Sequence, residues 1–116
     1  STPVKLFHNP NCSKSRATLN LLTENNIEPV IIEYLKTPLT KELIEEILQK
    51  LNQEPRDIMR KKEQPYIDYK LGNSALERTQ LIAAIIKDPI LLERPIVLAN
   101  NKAVIGRPPE LVLKII

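Results

Sequence analysis

This 116-residue chain contains one cysteine and one histidine, two residue types that often take part in catalysis. His8 and Cys12 lie four residues apart, after a short apolar segment and before a segment whose leucines have helical spacing. Asn9-Pro10-Asn11 lies between them and breaks the chain. The pattern therefore predicts a strand, a turn and a helix, with Cys12 at or just before the first helical residue.

A thiol at the start of a helix is biased toward its thiolate form. The unpaired N–H groups and the positive end of the helix dipole point toward it, and Lys14 and Arg16 add positive charge within one turn. A free thiol, with a pKa of roughly 8.5, is only about 3% ionised at pH 7. A lone cysteine is more often a small buried apolar residue, but the polar, proline-broken turn favours a nucleophile at Cys12.

The first third of the chain has the pattern of a βαβ unit. After the predicted strand and helix comes the β-branched run Val30-Ile31-Ile32, which predicts a mostly buried second strand. A βαβ order makes the two strands parallel with a right-handed crossover. The predicted elements are a strand over 3–7, a helix over 13–25 and a strand within 27–35.

The middle of the chain, about 38–90, is predicted to be helical. Thr40 is the expected N-cap of a helix over 41–52, whose apolar residues form one stripe. Pro55 suits the first position of a short helix, and Gln64-Pro65 is expected to end it. A further helical stripe ends before Asp88-Pro89.

The last part of the chain predicts a β-hairpin and a closing helix. The strands 96–98 and 103–105 flank Asn100-Asn101, a hairpin turn signal, and Pro108-Pro109 starts the helix. The order βαβ, helical block, ββα predicts an α/β, thioredoxin-like fold: a small mixed four-stranded sheet flanked by helices. We interpret 1–116 as one domain with a helical insertion at about 38–90.

Composition excludes several classes of function. Hydrophobic residues make up 42% and charged residues 27% of the chain, with a net charge of +3, which does not indicate a nucleic-acid or membrane partner. No apolar stretch approaches the ~18 residues of a membrane span. One cysteine forbids an internal disulfide and predicts a reducing, cytoplasmic location, and one cysteine with one histidine argues against a metal site.

Three arginines lie at predicted element boundaries and are suited to bind an oxyanion. They are Arg60, Arg94 and Arg107, and proline directly follows the last two. Guanidinium groups bind tetrahedral oxyanions through paired hydrogen bonds and keep their charge when partly buried. Any one of them alone would be interpreted as a solvated surface residue. Arg16 begins a helix, where a cation is unfavourable, so we assign it a supporting role only.

Four motifs give the chain a resemblance to a known family. They are His8-Asn9-Pro10-x-Cys12-x-x-Ser15-Arg16, Arg60, Glu93-Arg94-Pro95-Ile96-Val97 and Gly106-Arg107-Pro108. In order and spacing they resemble the glutaredoxin-coupled arsenate reductases over nearly the whole chain. The resemblance implies the thioredoxin-like fold and, in that fold, a cis peptide bond before Pro95.

The same resemblance implies a reaction, a site and partners. Arsenate would be reduced to arsenite through a Cys12 thiol–arsenate adduct, as in arsenical resistance, with no bound cofactor and glutathione as co-substrate. Glutaredoxin would be the protein partner. The implied substrate-binding residues are Arg60, Arg94 and Arg107. His8 and Ser15 would tune the thiol.

Two alternatives stay open. Ser13-Lys14 follows Cys12 where typical arsenate reductases carry Gly-Thr, so a glutathione-linked thiol oxidoreductase that does not act on arsenate fits the same residues. A redox-responsive regulatory binding module is less favoured, because such sensors carry Cys-x-x-Cys and this chain has Ser15 at the second position. Thr18, six residues after Cys12, excludes the Cys-x5-Arg motif of phosphatase-like arsenate reductases.

Overall fold

The computed structural model describes residues 3–116, which divide into two compact units. One unit combines the described part of 1–37 with 94–116, and the other comprises Pro38–Glu93. The second unit corresponds to the predicted helical insertion. That all 116 residues form a single domain stays a prediction.

The first unit contains a mixed four-stranded sheet with the order β2-β1-β3-β4. Strand β1 pairs in parallel with β2 and antiparallel with β3, and β3 pairs antiparallel with β4. The strands are β1 (Lys5–Phe7), β2 (Val30–Ile32), β3 (Ile96–Ala99) and β4 (Lys102–Ile105). The predicted thioredoxin-like fold class, including the parallel first pair, is confirmed.

Helix α1 (Ser13–Glu24) connects β1 to β2 and packs with the C-terminal segment. That segment is a 3-10 helix, Pro109–Lys114, where the sequence predicted a closing helix. Leu22 of α1 and Val112 of the 3-10 helix are fully buried in one apolar cluster with Leu6 and Val97 of the sheet. This cluster fixes α1, and therefore the residue at its start, against the sheet.

The prediction that β2 is mostly buried is wrong. Val30 is 50% exposed and Ile31 is 46% exposed. Strand β2 is at the edge of the sheet and pairs only with β1, so its side chains have neighbours on one side only. A β-branched run indicates a strand, but it does not indicate the position of that strand in the sheet.

The predicted hairpin turn is confirmed at Asn100 and Asn101. Both have positive φ angles, 51° and 63°, which suit a two-residue hairpin turn and which asparagine tolerates. The turn sets a register in which Ile96 faces Ile105. Arg94, before β3, and Arg107, after β4, are therefore placed at the same end of the hairpin.

The second unit is helical, with α2 (Lys41–Leu51), α3 (Gln64–Asp68) and α4 (Arg78–Lys87). The Thr40 hydroxyl accepts the backbone N–H of Leu43 at 3.1 Å, which confirms the predicted cap of α2. The short helix predicted to start at Pro55 is the 3-10 helix Pro55–Ile58, which ends before Gln64-Pro65, as predicted. Gln64-Pro65 itself begins α3, because proline is favoured in a first helical turn. In the described part of the chain, every helix is too short or too polar to serve as a membrane span.

Candidate active site

The loop between β1 and α1 places Cys12 at the N-cap of α1, as predicted. Its backbone is extended, with φ −99° and ψ 124°. The Cys12 N–H donates to the Asn9 carbonyl at 3.0 Å, and the Cys12 carbonyl accepts the Arg16 N–H at 3.0 Å. The Asn9 side-chain oxygen accepts the Asn11 N–H at 3.0 Å, an Asx turn that fixes the loop.

The Cys12 thiol is only 8% exposed, yet its environment favours the thiolate. Burial raises the pKa of the thiol, but hydrogen bonds from the Ser15 N–H, the Arg94 guanidinium and the Lys14 N–H, with the charge of Arg94, lower it by more. The net result is a pKa below the ordinary thiol value. The sulfur is thus stabilised as an anion by a helix N-terminus on one side and an arginine on the other.

We expect the thiolate absorbance of Cys12 near 240 nm to titrate with a midpoint below the free-thiol value of about 8.5. The pKa of Cys12 is lower in the folded than in the unfolded protein, so ionisation of this thiol stabilises the fold. The stabilisation is complete above the unfolded pKa and is lost as the pH falls through the folded pKa. Thiol reactivity should decline over that same lower range. The same titration of Cys12→Ser supplies the baseline from tyrosine absorbance. A midpoint at or above about 8.5 would contradict the assignment of Cys12 as a nucleophile with a lowered pKa.

His8 and Ser15 form a buried polar pair beside the thiol. The Ser15 hydroxyl oxygen lies 2.6 Å from His8 Nδ1 and accepts the Asn9 N–H at 3.0 Å. The hydroxyl donates to Nδ1 when the ring proton of a neutral His8 is on Nε2 and accepts from Nδ1 when the proton is there. Burial lowers the pKa of His8, Glu33 raises it and Arg16 lowers it, and the net decrease favours the neutral form of the ring.

Arg94 and Arg107 come together at the end of the β-hairpin. Arg107 Nε donates to the Arg94 carbonyl at 2.8 Å, while the Arg94 guanidinium hydrogen-bonds the Cys12 sulfur. The Arg94–Pro95 peptide bond is cis, as expected, and Arg107–Pro108 is a second cis bond that the sequence did not predict. The structure therefore places Arg94 beside the thiol and Arg107 against the backbone of Arg94.

The other two candidate arginines have different surroundings. Arg16 is exposed, and its Nη1 donates to the Pro10 carbonyl at 2.8 Å, so it braces the loop before Cys12. Arg60 belongs to the helical unit, where its Nε donates to a Glu63 carboxylate oxygen at 3.2 Å. A substrate-binding role for Arg60 stays a prediction.

Sequence reasoning assigned no role to two residues that pack beside the site, Thr18 and Gly106. Thr18 is fully buried, and its hydroxyl donates to the Lys14 carbonyl at 2.9 Å. Gly106 is buried at the end of β4, directly before Arg107. Two signals for Gly106 were available in the sequence: its place in the motif Gly106-Arg107-Pro108 and the scarcity of glycine, two in the whole chain. Among residues 3–116, no group of three or more His, Cys, Asp or Glu could hold a metal ion.

Comparisons with known proteins agree on one family. The family model of the ArsC family matches residues 7–115. The Escherichia coli protein YfgD, described as uncharacterized, is 50% identical over 114 residues, covering 97% of this chain and 96% of the relative. A Neisseria meningitidis serogroup A protein named arsenate reductase is 47% identical over 108 residues, covering 92% of each. The solved structure named arsenate reductase from Vibrio cholerae is 45% identical, with a TM-score of 0.96 over 100% of this chain and 99% of that chain.

Proposed function

The chain belongs to the ArsC family, and we propose that it is an arsenate reductase that uses glutathione and glutaredoxin as electron donors. The observation that carries the proposal is the position of Cys12 at the N-cap of α1, where backbone N–H groups and the Arg94 guanidinium lower the pKa of the thiol. A thiolate beside guanidinium groups suits attack on a tetrahedral oxyanion, because the cations bind the oxyanion and stabilise charge as it develops.

The first step would be attack by the Cys12 thiolate on arsenic. The new S–As bond forms as one arsenate oxygen takes up protons and leaves as water. The Lys14 and Ser15 N–H groups and Arg94 hold the sulfur before the attack. Arg107, anchored on the Arg94 carbonyl, would bind oxyanion oxygens, and Arg60 is proposed to do the same.

The second half of the reaction needs another thiol. Reducing arsenate to arsenite takes two electrons, and a disulfide formed from two thiols supplies both. Cys12 is the only cysteine, so a soluble thiol, glutathione, would be the second. Overall, arsenate, the Cys12 thiol and glutathione would give arsenite, water and a Cys12–glutathione disulfide. Glutaredoxin would then restore Cys12 by thiol–disulfide exchange.

Mass spectrometry after incubation with arsenate and glutathione should find one glutathione per chain, on the peptide that contains Cys12. No internal disulfide can form, because Ser15 occupies the position of a resolving cysteine. Thioredoxin without glutathione should sustain turnover poorly. Full arsenate reduction by thioredoxin alone would contradict the glutathione route.

A glutathione-linked thiol oxidoreductase that does not act on arsenate is the second candidate. Ser13-Lys14 favours it, since both side chains are exposed at the start of α1 and replace the typical Gly-Thr. Steady-state arsenate reduction with glutathione and glutaredoxin distinguishes the two. A glutathione adduct on Cys12 without any arsenate reduction would support the second candidate. Either reaction requires a free thiol, so we propose a reducing cytoplasm as its location.

A further inference from the structure

Gly106 occupies a space that has no room for a side chain. A Cβ built on it would lie 2.8 Å from Thr18 Oγ1 and 2.9 Å from Pro95 Cγ, closer than real Cβ contacts allow. No glycine in residues 3–116 has a positive φ angle, so the backbone conformation does not require glycine here. The requirement is therefore steric.

Neither neighbour can move aside easily. Thr18 is fully buried, and its hydroxyl is held by the Lys14 carbonyl at 2.9 Å. Pro95 is buried, its ring is rigid, and its carbonyl accepts the Gly106 N–H at 2.9 Å. An added methyl group would therefore have to push Gly106 away from both helix α1 and Pro95.

The contact at Gly106 joins the two sides of the thiol site. Thr18 lies on α1, whose first turn supplies the N–H groups of Lys14 and Ser15 to the Cys12 sulfur. Pro95 directly follows Arg94 in the chain, and Gly106 directly precedes Arg107. The distance between α1 and the hairpin thus controls how far the Arg94 guanidinium is from the sulfur.

We propose that Gly106 is a positioning residue: because it lacks a side chain, the hairpin end that carries Arg94 and Arg107 packs closely enough on α1 for Arg94 to reach the Cys12 sulfur. This inference deepens the proposed function and rests on it for the arsenate measurement. Titration of the thiol tests the geometry without arsenate.

Gly106→Ala should weaken the Arg94–sulfur hydrogen bond and so raise the pKa of Cys12. At a fixed pH below the wild-type pKa of Cys12, we expect the thiolate absorbance near 240 nm to be about three- to tenfold lower in the variant than in the wild type. The KM for arsenate should rise by more than kcat falls, since the arginines bind the oxyanion. Gly72→Ala is the matched control, because a Cβ there meets only the Tyr66 side chain, at 3.4 Å or more, which is ordinary contact.

Thr18→Ala in the Gly106→Ala background removes one of the two obstacles. We expect it to restore part of the lost thiolate absorbance. A folded Gly106→Ala with the wild-type titration would overturn the proposal. If Gly106→Ala does not fold, the double variant is compared with the single variant Thr18→Ala. A higher Cys12 pKa in the double variant supports the proposal, and an equal Cys12 pKa overturns it. Absence of arsenate reduction by the wild type would reject the proposed function and leave the titration result standing.

Discussion

Replacement of Cys12 by serine should abolish arsenate reduction, with kcat at least about a thousandfold lower. A serine hydroxyl stays protonated near neutral pH, and the hydrogen bonds that stabilise a thiolate do not make it a comparable nucleophile. The exchange of sulfur for oxygen removes little volume, so the fold should survive. Arsenite production with glutathione and glutaredoxin measures the loss.

Ser74→Ala is the matched control for this variant, since Ser74 is exposed and belongs to the helical unit. It should keep wild-type arsenate kinetics. Circular dichroism should show the same helical content for both variants. Substantial arsenate reduction by Cys12→Ser would mean that the reaction does not pass through a bond between Cys12 and arsenic, and the proposed mechanism would then be wrong.

Lysine at Arg94 should lower kcat/KM for arsenate by about a hundredfold or more, the usual effect of removing a donor that stabilises developing charge. Lysine keeps the positive charge but cannot reproduce the planar pair of donors. Part of the Cys12 acidification should persist, because the charge of Arg94 lowers the pKa in addition to its hydrogen bond. The hydrogen bond from Arg107 Nε to the carbonyl of residue 94 should survive, because its acceptor is a backbone atom that the substitution leaves in place.

Arg107→Lys should weaken arsenate binding for a different reason. Arg107 uses Nε to hold the Arg94 carbonyl, which fixes the direction of its guanidinium, and lysine has no equivalent second donor. Arg78→Lys is the control, because Arg78 bonds Glu45 and Glu54 within the helical unit. Unchanged arsenate kinetics in both Arg94→Lys and Arg107→Lys would contradict the proposed oxyanion site.

Local sequence was sufficient to predict the elements and the position of the thiol. Helical spacing after Asn9-Pro10-Asn11 placed Cys12 at the start of a helix, and the structure agrees to the residue. Asn100-Asn101 predicted the hairpin, because asparagine tolerates the positive φ angles that the turn requires. Thr40 predicted the start of α2, because its hydroxyl can accept an otherwise unpaired N–H. These features depend on neighbours within a few residues, which a sequence displays directly.

Features that depend on distant residues appeared only in the tertiary structure. The edge position of β2 depends on which strand pairs with β1 on its other side, and that strand, β3, begins more than sixty residues later. The pKa of Cys12 depends on a balance between burial and hydrogen bonds, one of them from Arg94, far along the chain. Gly106 fits between Pro95 and Thr18, which belongs to helix α1 in the first part of the chain. Sequence spacing determined the type and order of the main elements and placed Cys12 at the start of one, whereas close packing of side chains from separate segments determined which residues contact the sulfur.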